Sequence, residues 1–163
     1  MKNLIIVVDA WEEWPIEDTR VWPHVSKEAR AFGFYINTML NHIRKDPNNT
    51  IVHYTWNKDV GLMNSIDRTG EKIYYSRHEI ELDHTYPEYT KMYVCGFHYG
   101  ICIDSTLSWF QRHSSHWRYE NIGLIENMSL RHPMESTLKI DLRRSFFKHF
   151  YYSIPDGFIL LDK

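Results

Sequence analysis

Cysteine is scarce: the 163 residues hold two, Cys95 and Cys102, both in one short segment. That number and spacing cannot staple distant loops, so a disulfide scaffold is excluded and a reduced, cytoplasmic setting is expected. Long apolar runs are missing too. The run Leu4 to Val8 stops at Asp9, too short for a signal-peptide core and far below the ~20 residues that cross a bilayer, so a membrane is not an expected partner. Nor does one sign of charge dominate, with 19 basic against 21 acidic residues. No general pull toward nucleic acid follows, and partners must be recognised locally. The seven glycines form no Gly-rich phosphate loop after any apolar run, which ranks a nucleotide-binding module low. Repeats and low-complexity tracts are also absent.

What the chain does have is size, apolar content and rings. At 43% hydrophobic composition, residues 1–163 suit one domain that buries about two-thirds of its unfolded surface. Aromatics reach 15%, with six Trp and eleven Tyr, enough to line a pocket or an interface and to make a homo-oligomer plausible.

A continuous β-branched-rich run marks a strand buried on both faces, and other short apolar runs read as further strands. Leu4–Val8 is the first, Thr50–Trp56 the second, Lys72–Ser76 the third, Lys91–Cys95 the fourth and Asn121–Ile125 the fifth, with Gly157–Leu161 as a possible closing strand. Between the first two, Trp11 to Val25 reads as a long aperiodic loop, and Ser26 as the cap of a helix that carries Ala29, Phe32, Ile36, Leu40 and Ile43 at helical spacing. Asp46-Pro47-Asn48-Asn49 ends that helix with turn residues. His78 to Thr90 shows no strong period. Ile103, Leu107 and Phe110 repeat helically after Gly96, and Leu138, Leu142, Phe146 and Phe150 stripe a last helix. The expected fold is α/β with three layers, a mainly parallel central sheet of five to six strands and helices on both faces, Rossmann-like in plan.

Ligands enter such sheets at the carboxyl ends of the strands. There the sequence delivers Asp9, then Ser76-Arg77, then Cys95-Gly96 with Cys102 at the start of the next helix. A thiol attacks only as thiolate, and a cation and a helix amino terminus both favour that form. Asp9 then suits a base that takes the thiol proton and returns it to a leaving group. Backbone N–H groups at Ile101 and Cys102 would cradle an oxyanion.

Tyr93 to Thr106, with Gly96, Cys102, Ile103 and Thr106 at their spacings, resembles the nucleophile segment of the isochorismatase-like cysteine hydrolases, which include nicotinamidases. Leu4 to Asp9 resembles that family's first strand and catalytic Asp. Ile122 to Ser129 resembles its fifth strand, with Glu126-Asn127 where an Asp-Ala pair is usual. The resemblance implies an isochorismatase-like fold, a Cys102 nucleophile, an Asp9 base, and a non-proline cis peptide at Phe97–His98 in the oxyanion loop. The family's third catalytic residue is a Lys, and Arg77 stands there. Arginine keeps the charge but cannot exchange a proton at working pH; Lys72 and Lys91 are the alternative sources of one. The family's Asp-x-His metal motif after the second strand is missing from Thr55-Trp56-Asn57-Lys58-Asp59, so neither metal nor cofactor is expected.

Cys95, inside a strand, reads as a small core hydrophobe. His98 and Tyr99 lie in the nucleophile loop, where they would shape the pocket. Trp11, Trp14 and Trp56 follow strand ends and suit stacking on a planar substrate, or packing under a loop. His113 and His116 lack a third ligand and read as a solvated helix end. The expectation is a metal-independent cysteine hydrolase for a small amide, ester or vinyl ether-like substrate. The alternative is a catalytically weak or inactive relative that uses the same cleft to bind a ligand or a protein.

Overall fold

The computed structural model describes residues 1–8, 23–56, 58, 62–85, 87–99, 102–131 and 147–161, with residues 23–27, 98, 99 and 131 as backbone only. Along the chain run β1 (Lys2–Val8), α1 (Pro23–Ile43), β2 (Asn49–Tyr54), β3 (Ile73–Tyr74), α2 (Arg77–Asp83), β4 (Tyr89–Tyr99), α3 (Cys102–His113), β5 (Ile122–Arg131), β6 (Lys148–Ser153) and β7 (Gly157–Leu160). One seven-stranded sheet results, in the order β3-β2-β1-β4-β5-β6-β7. All pairs are parallel except β6–β7.

β1 occupies the middle because it has no polar side to show. Leu4 to Val8 are all buried, and alternation sends them to opposite faces. Leu4, Ile6 and Val8 join Ile80 of α2 and Ile103, Leu107 and Phe110 of α3 in one apolar cluster. Ile5 and Val7 join Ala29, Ile36, Leu40 and Ile43 of α1 in the other. Helices therefore cover both faces, as the buried strand runs imply.

α1 stops where its last carbonyl finds a side chain and a side chain braces the turn that follows. Asn49 donates Nδ2 to the Ile43 carbonyl at 3.1 Å, and the Asp46 carboxylate accepts from the Asn48 backbone N–H at 2.9 Å. The same Asn49 opens β2 and accepts from Asn3 Nδ2 through its side-chain oxygen. One residue thus ends the helix and sets the β1–β2 register.

Several sequence expectations are corrected. α1 begins at Pro23, ahead of Ser26, where the missing proline N–H costs nothing because a first-turn N–H has no helical acceptor. The polar stretch after His78 contains α2, a seven-residue helix whose only buried residue is Ile80. The sheet has seven strands instead of five or six, because Phe150, read as part of a helical stripe, lies in β6, between β5 and β7. Leu138, Leu142 and Phe146 of that stripe are outside the described residues. β4 and β5 run beyond their expected ends.

β4 and β5 do so around an offset. Val94 pairs with Leu124, but Gly96 pairs with Ser129, so β5 carries extra residues between two ladders. Asn127, in that excess, donates Nδ2 to the Tyr152 carbonyl and accepts from the Tyr152 N–H through Oδ1, each at 2.8 Å. Its amide takes the place of a peptide unit against β6.

Candidate active site

At the carboxyl edge of the sheet β1 and β4 come very close. Val8 pairs with Gly96, and a Cβ on Gly96 would stand 2.2 Å from the Val8 carbonyl oxygen. Gly96 also has φ 111°, a region glycine enters without steric cost. The last residue of β1 and Gly96 of β4 therefore lie side by side at this edge. The residue after Val8 is Asp9, outside the described residues, as are Trp11, Trp14 and Ile101.

Cys102 is the first residue of α3. It is half-buried and packs against the cluster formed by α2, α3 and their sheet face. First-turn N–H groups of a helix have no carbonyl four residues back, so this end presents donors and the positive end of the helix dipole. Cys95, by contrast, is fully buried in the α1-side cluster.

Arg77 opens α2 and reaches across to α3. Its Nη2 donates to Ser105 Oγ at 3.1 Å, and Nε donates to Thr106 Oγ1 at 3.4 Å, the long end of the range. The buried Thr106 hydroxyl donates in turn to the Cys102 carbonyl at 2.8 Å, a helical back-bond one turn up. On its other side the Arg77 guanidinium lies over the Tyr54 ring, 5.0 Å from the centroid.

Tyr54 ends β2 and is buried. Burial raises its hydroxyl pKa above the ordinary tyrosine value, the Arg77 charge opposes that rise, and the Cys102 sulfur adds to it. One buried ring therefore feels both the cation and the thiol. Sequence reasoning passed over Tyr54 and Ser105, and used Thr106 only as a spacing match without a role. The signal for Tyr54 was present, since it closes a parallel strand at the edge where ligands bind.

The structure sets Arg77 against Ser105 and Thr106 of the helix that Cys102 begins, with the Tyr54 ring on its other side. Phe97 goes elsewhere: it is buried in the α1-side cluster, edge-on to Phe32 at 5.9 Å. His98 and Tyr99 continue β4 and are described as backbone only, and the cis peptide bond among the described residues is Ile154–Pro155. Trp56 stands just past β2, largely exposed. Among the described residues no three His, Cys, Asp or Glu side chains gather as a metal cluster. His113 stacks on Trp109 at 4.9 Å and its Nδ1 meets the Trp109 carbonyl at 3.0 Å. A cavity of about 190 Å³ lies at the opposite, amino ends of the strands, lined by Lys91, Tyr93, Asn121, Lys148 and Phe158 among others.

No family model and no curated protein matches this sequence. Solved structures do. The chain is similar to an isochorismatase-like hydrolase from Alkaliphilus metalliredigens, with a TM-score of 0.64 and 12% identity over 93% of this chain and 95% of that one. It is also similar to N-carbamoylsarcosine amidase from Thermoplasma acidophilum, with a TM-score of 0.54 and 11% identity over 84% and 90% of the two chains. The chain thus adopts the fold of the isochorismatase-like hydrolases.

Proposed function

We propose that this protein is a cysteine hydrolase for a small amide, ester or vinyl ether-like substrate, with Cys102 as nucleophile, Asp9 as base and Arg77 as a fixed charge. The observation that carries the reading is the placement of Arg77 on the first turn of α3, the turn that Cys102 begins. The fold likeness supports it, because both neighbours named above carry hydrolytic names.

For an amide or ester the steps balance as follows. Asp9 takes the thiol proton, and the thiolate sulfur attacks the carbonyl carbon. A C–S bond forms while the carbonyl electron pair moves to oxygen, where N–H groups at the start of α3 accept the charge. Collapse expels the amine or alcohol, which leaves with the proton held by Asp9. Water then attacks the thioester and yields its proton to Asp9, which returns it to sulfur as the acid departs. Arg77 exchanges no proton and acts by charge alone.

Two assays test the reading. Iodoacetamide labels Cys102 near neutral pH faster than it labels an unfolded-peptide cysteine; an equal rate refutes an activated thiol. A panel of small amides and esters shows turnover that Cys102→Ala abolishes with folding intact and that a chelator leaves unchanged. If the cleft only binds, no panel member is turned over by the labelling-competent protein.

A further inference from the structure

Arginine in a site of this kind has a geometric requirement that a proton-shuttling residue does not share. Its effect is Coulombic and falls with distance, so a long flexible side chain must be held to be useful. Here three side chains from two elements hold it. The Tyr54 ring of β2 lies under the guanidinium, and the Ser105 and Thr106 hydroxyls of α3 accept from its edge. Thr106 also donates to the carbonyl of Cys102, so a single hydroxyl links the cation to the residue bearing the sulfur.

We infer that Tyr54 and Thr106 are positioning residues that lock the Arg77 guanidinium against the first turn of α3, making it a fixed positive charge for the Cys102 site. The inference rests on Cys102 being the reactive thiol proposed above. Tyr54 is well suited to the task because its ring is itself immobile, packed in the cluster that contains Val8, Ile80 and Ile103. A cation above an aromatic face is attracted by the ring quadrupole, and more strongly where water is partly excluded. Thr106 is fully buried, so its hydroxyl cannot trade Arg77 for solvent. Among the described residues, the titratable or charged groups on the contacting segments are Tyr54 of β2, Arg77 of α2 and Asp104 in the first turn of α3; Asp9 follows β1 in the sequence.

The test is the rate of iodoacetamide labelling at Cys102, read by peptide mass spectrometry on the full chain from about pH 6 to pH 9. Arg77→Met sets the scale by removing the charge. Tyr54→Leu and Thr106→Val are expected to move the labelling midpoint up in the same direction, by about one pH unit or less. A one-unit rise cuts the thiolate fraction about tenfold at neutral pH and is partly offset by a more nucleophilic sulfur, so labelling slows about threefold. Tyr54→Phe keeps the ring face and Thr106→Ser the hydroxyl, and each recovers most of the rate. A merely structural role would lower the melting temperature without moving the midpoint. Should Tyr54→Leu fail to fold, Thr106→Val, a near-isosteric change, decides alone. A midpoint that moves in Arg77→Met but in neither Tyr54→Leu nor Thr106→Val overturns the clamp. Wild-type labelling no faster than an unfolded peptide overturns the Cys102 reading itself, a distinct result.

Discussion

Adding one methyl group at Gly96 probes how tightly β1 and β4 meet beneath the candidate site. Two costs arise in Gly96→Ala. The backbone sits at φ 111°, and an L side chain forced to positive φ costs roughly 1–2 kcal/mol. The new Cβ would also lie 2.2 Å from the Val8 oxygen and 2.9 Å from the Val8 nitrogen, both backbone atoms, where ordinary contact begins at 3.4 Å. Parting two central strands is a form of overpacking, at about 1–3 kcal/mol. The sum, about 2–5 kcal/mol, would lower a urea midpoint by about 1–2.5 M at a slope of about 2 kcal/mol/M. Gly70→Ala is the control, because Gly70 has φ 76° but no atom within 4 Å of a Cβ. It carries the dihedral cost alone, so its midpoint falls by about 0.5–1 M. Equal shifts for the two variants would refute the steric part of this reasoning, and with it the view that the Val8–Gly96 approach is fixed.

Further outcomes follow from polar groups. His84 is buried, and Tyr74 gives its only hydroxyl proton to Asp83 at 2.7 Å, so the Tyr74 oxygen accepts from His84 Nε2 at 3.1 Å and Nδ1 is left bare, with no hydrogen-bond partner among the described residues. Burial holds the His84 pKa below its usual 6.5, against the raising effect of Asp83 and Glu88. The unfolded chain therefore takes up this proton first, and stability is full above about pH 6.5 and falls as pH drops toward the lower folded value. Urea midpoints measured from pH 7.5 to 5.5 should decline, and His84→Leu should flatten the decline; an unchanged slope counts against the assignment. Glu71 adds a second stage. Burial works to raise its pKa, but hydrogen bonds from His53 and Arg44 outweigh this and hold it below 4.5, so its contribution is lost only below that pH. Separately, Asn127→Asp removes the donor to the Tyr152 carbonyl and sets a carboxylate against it, costing about 1–3 kcal/mol. Asn127→Asp should melt lower than wild type, and an unchanged melting temperature would mean that the splice between β5 and β6 carries no weight.

Much of this fold was legible because burial on both faces leaves strands with no polar alternation to confuse them. Leu4–Val8 could be nothing but a central strand. α3 was equally plain, with Ile103, Leu107 and Phe110 at helical spacing behind a glycine. The failures share a cause: elements whose identity depends on a partner. β3 keeps only Ile73 and Tyr74 in ladder contact, and α2 buries one side chain, too few for a period. Phe150 falls four residues after Phe146 and so fits a helix, but pairing with Ile125 on one side and Leu160 on the other makes it sheet; tertiary context overrode spacing. At the candidate site, Cys102 and Arg77 were singled out from their positions after strand ends. Tyr54 was not, since a tyrosine in a buried strand looks like any core ring until the guanidinium across the edge is known.

β1 gives the molecule a particular kind of cooperativity. Its five consecutive buried residues serve as a wall for both apolar clusters at once, so neither the α1 side nor the α3 side can lose that strand while the other keeps it. Partial opening of a single layer is denied to such an arrangement. Amide protons of β1, β2 and β4 should accordingly exchange through one common event at the global unfolding free energy, with no lower-energy subunit of the sheet released ahead of it.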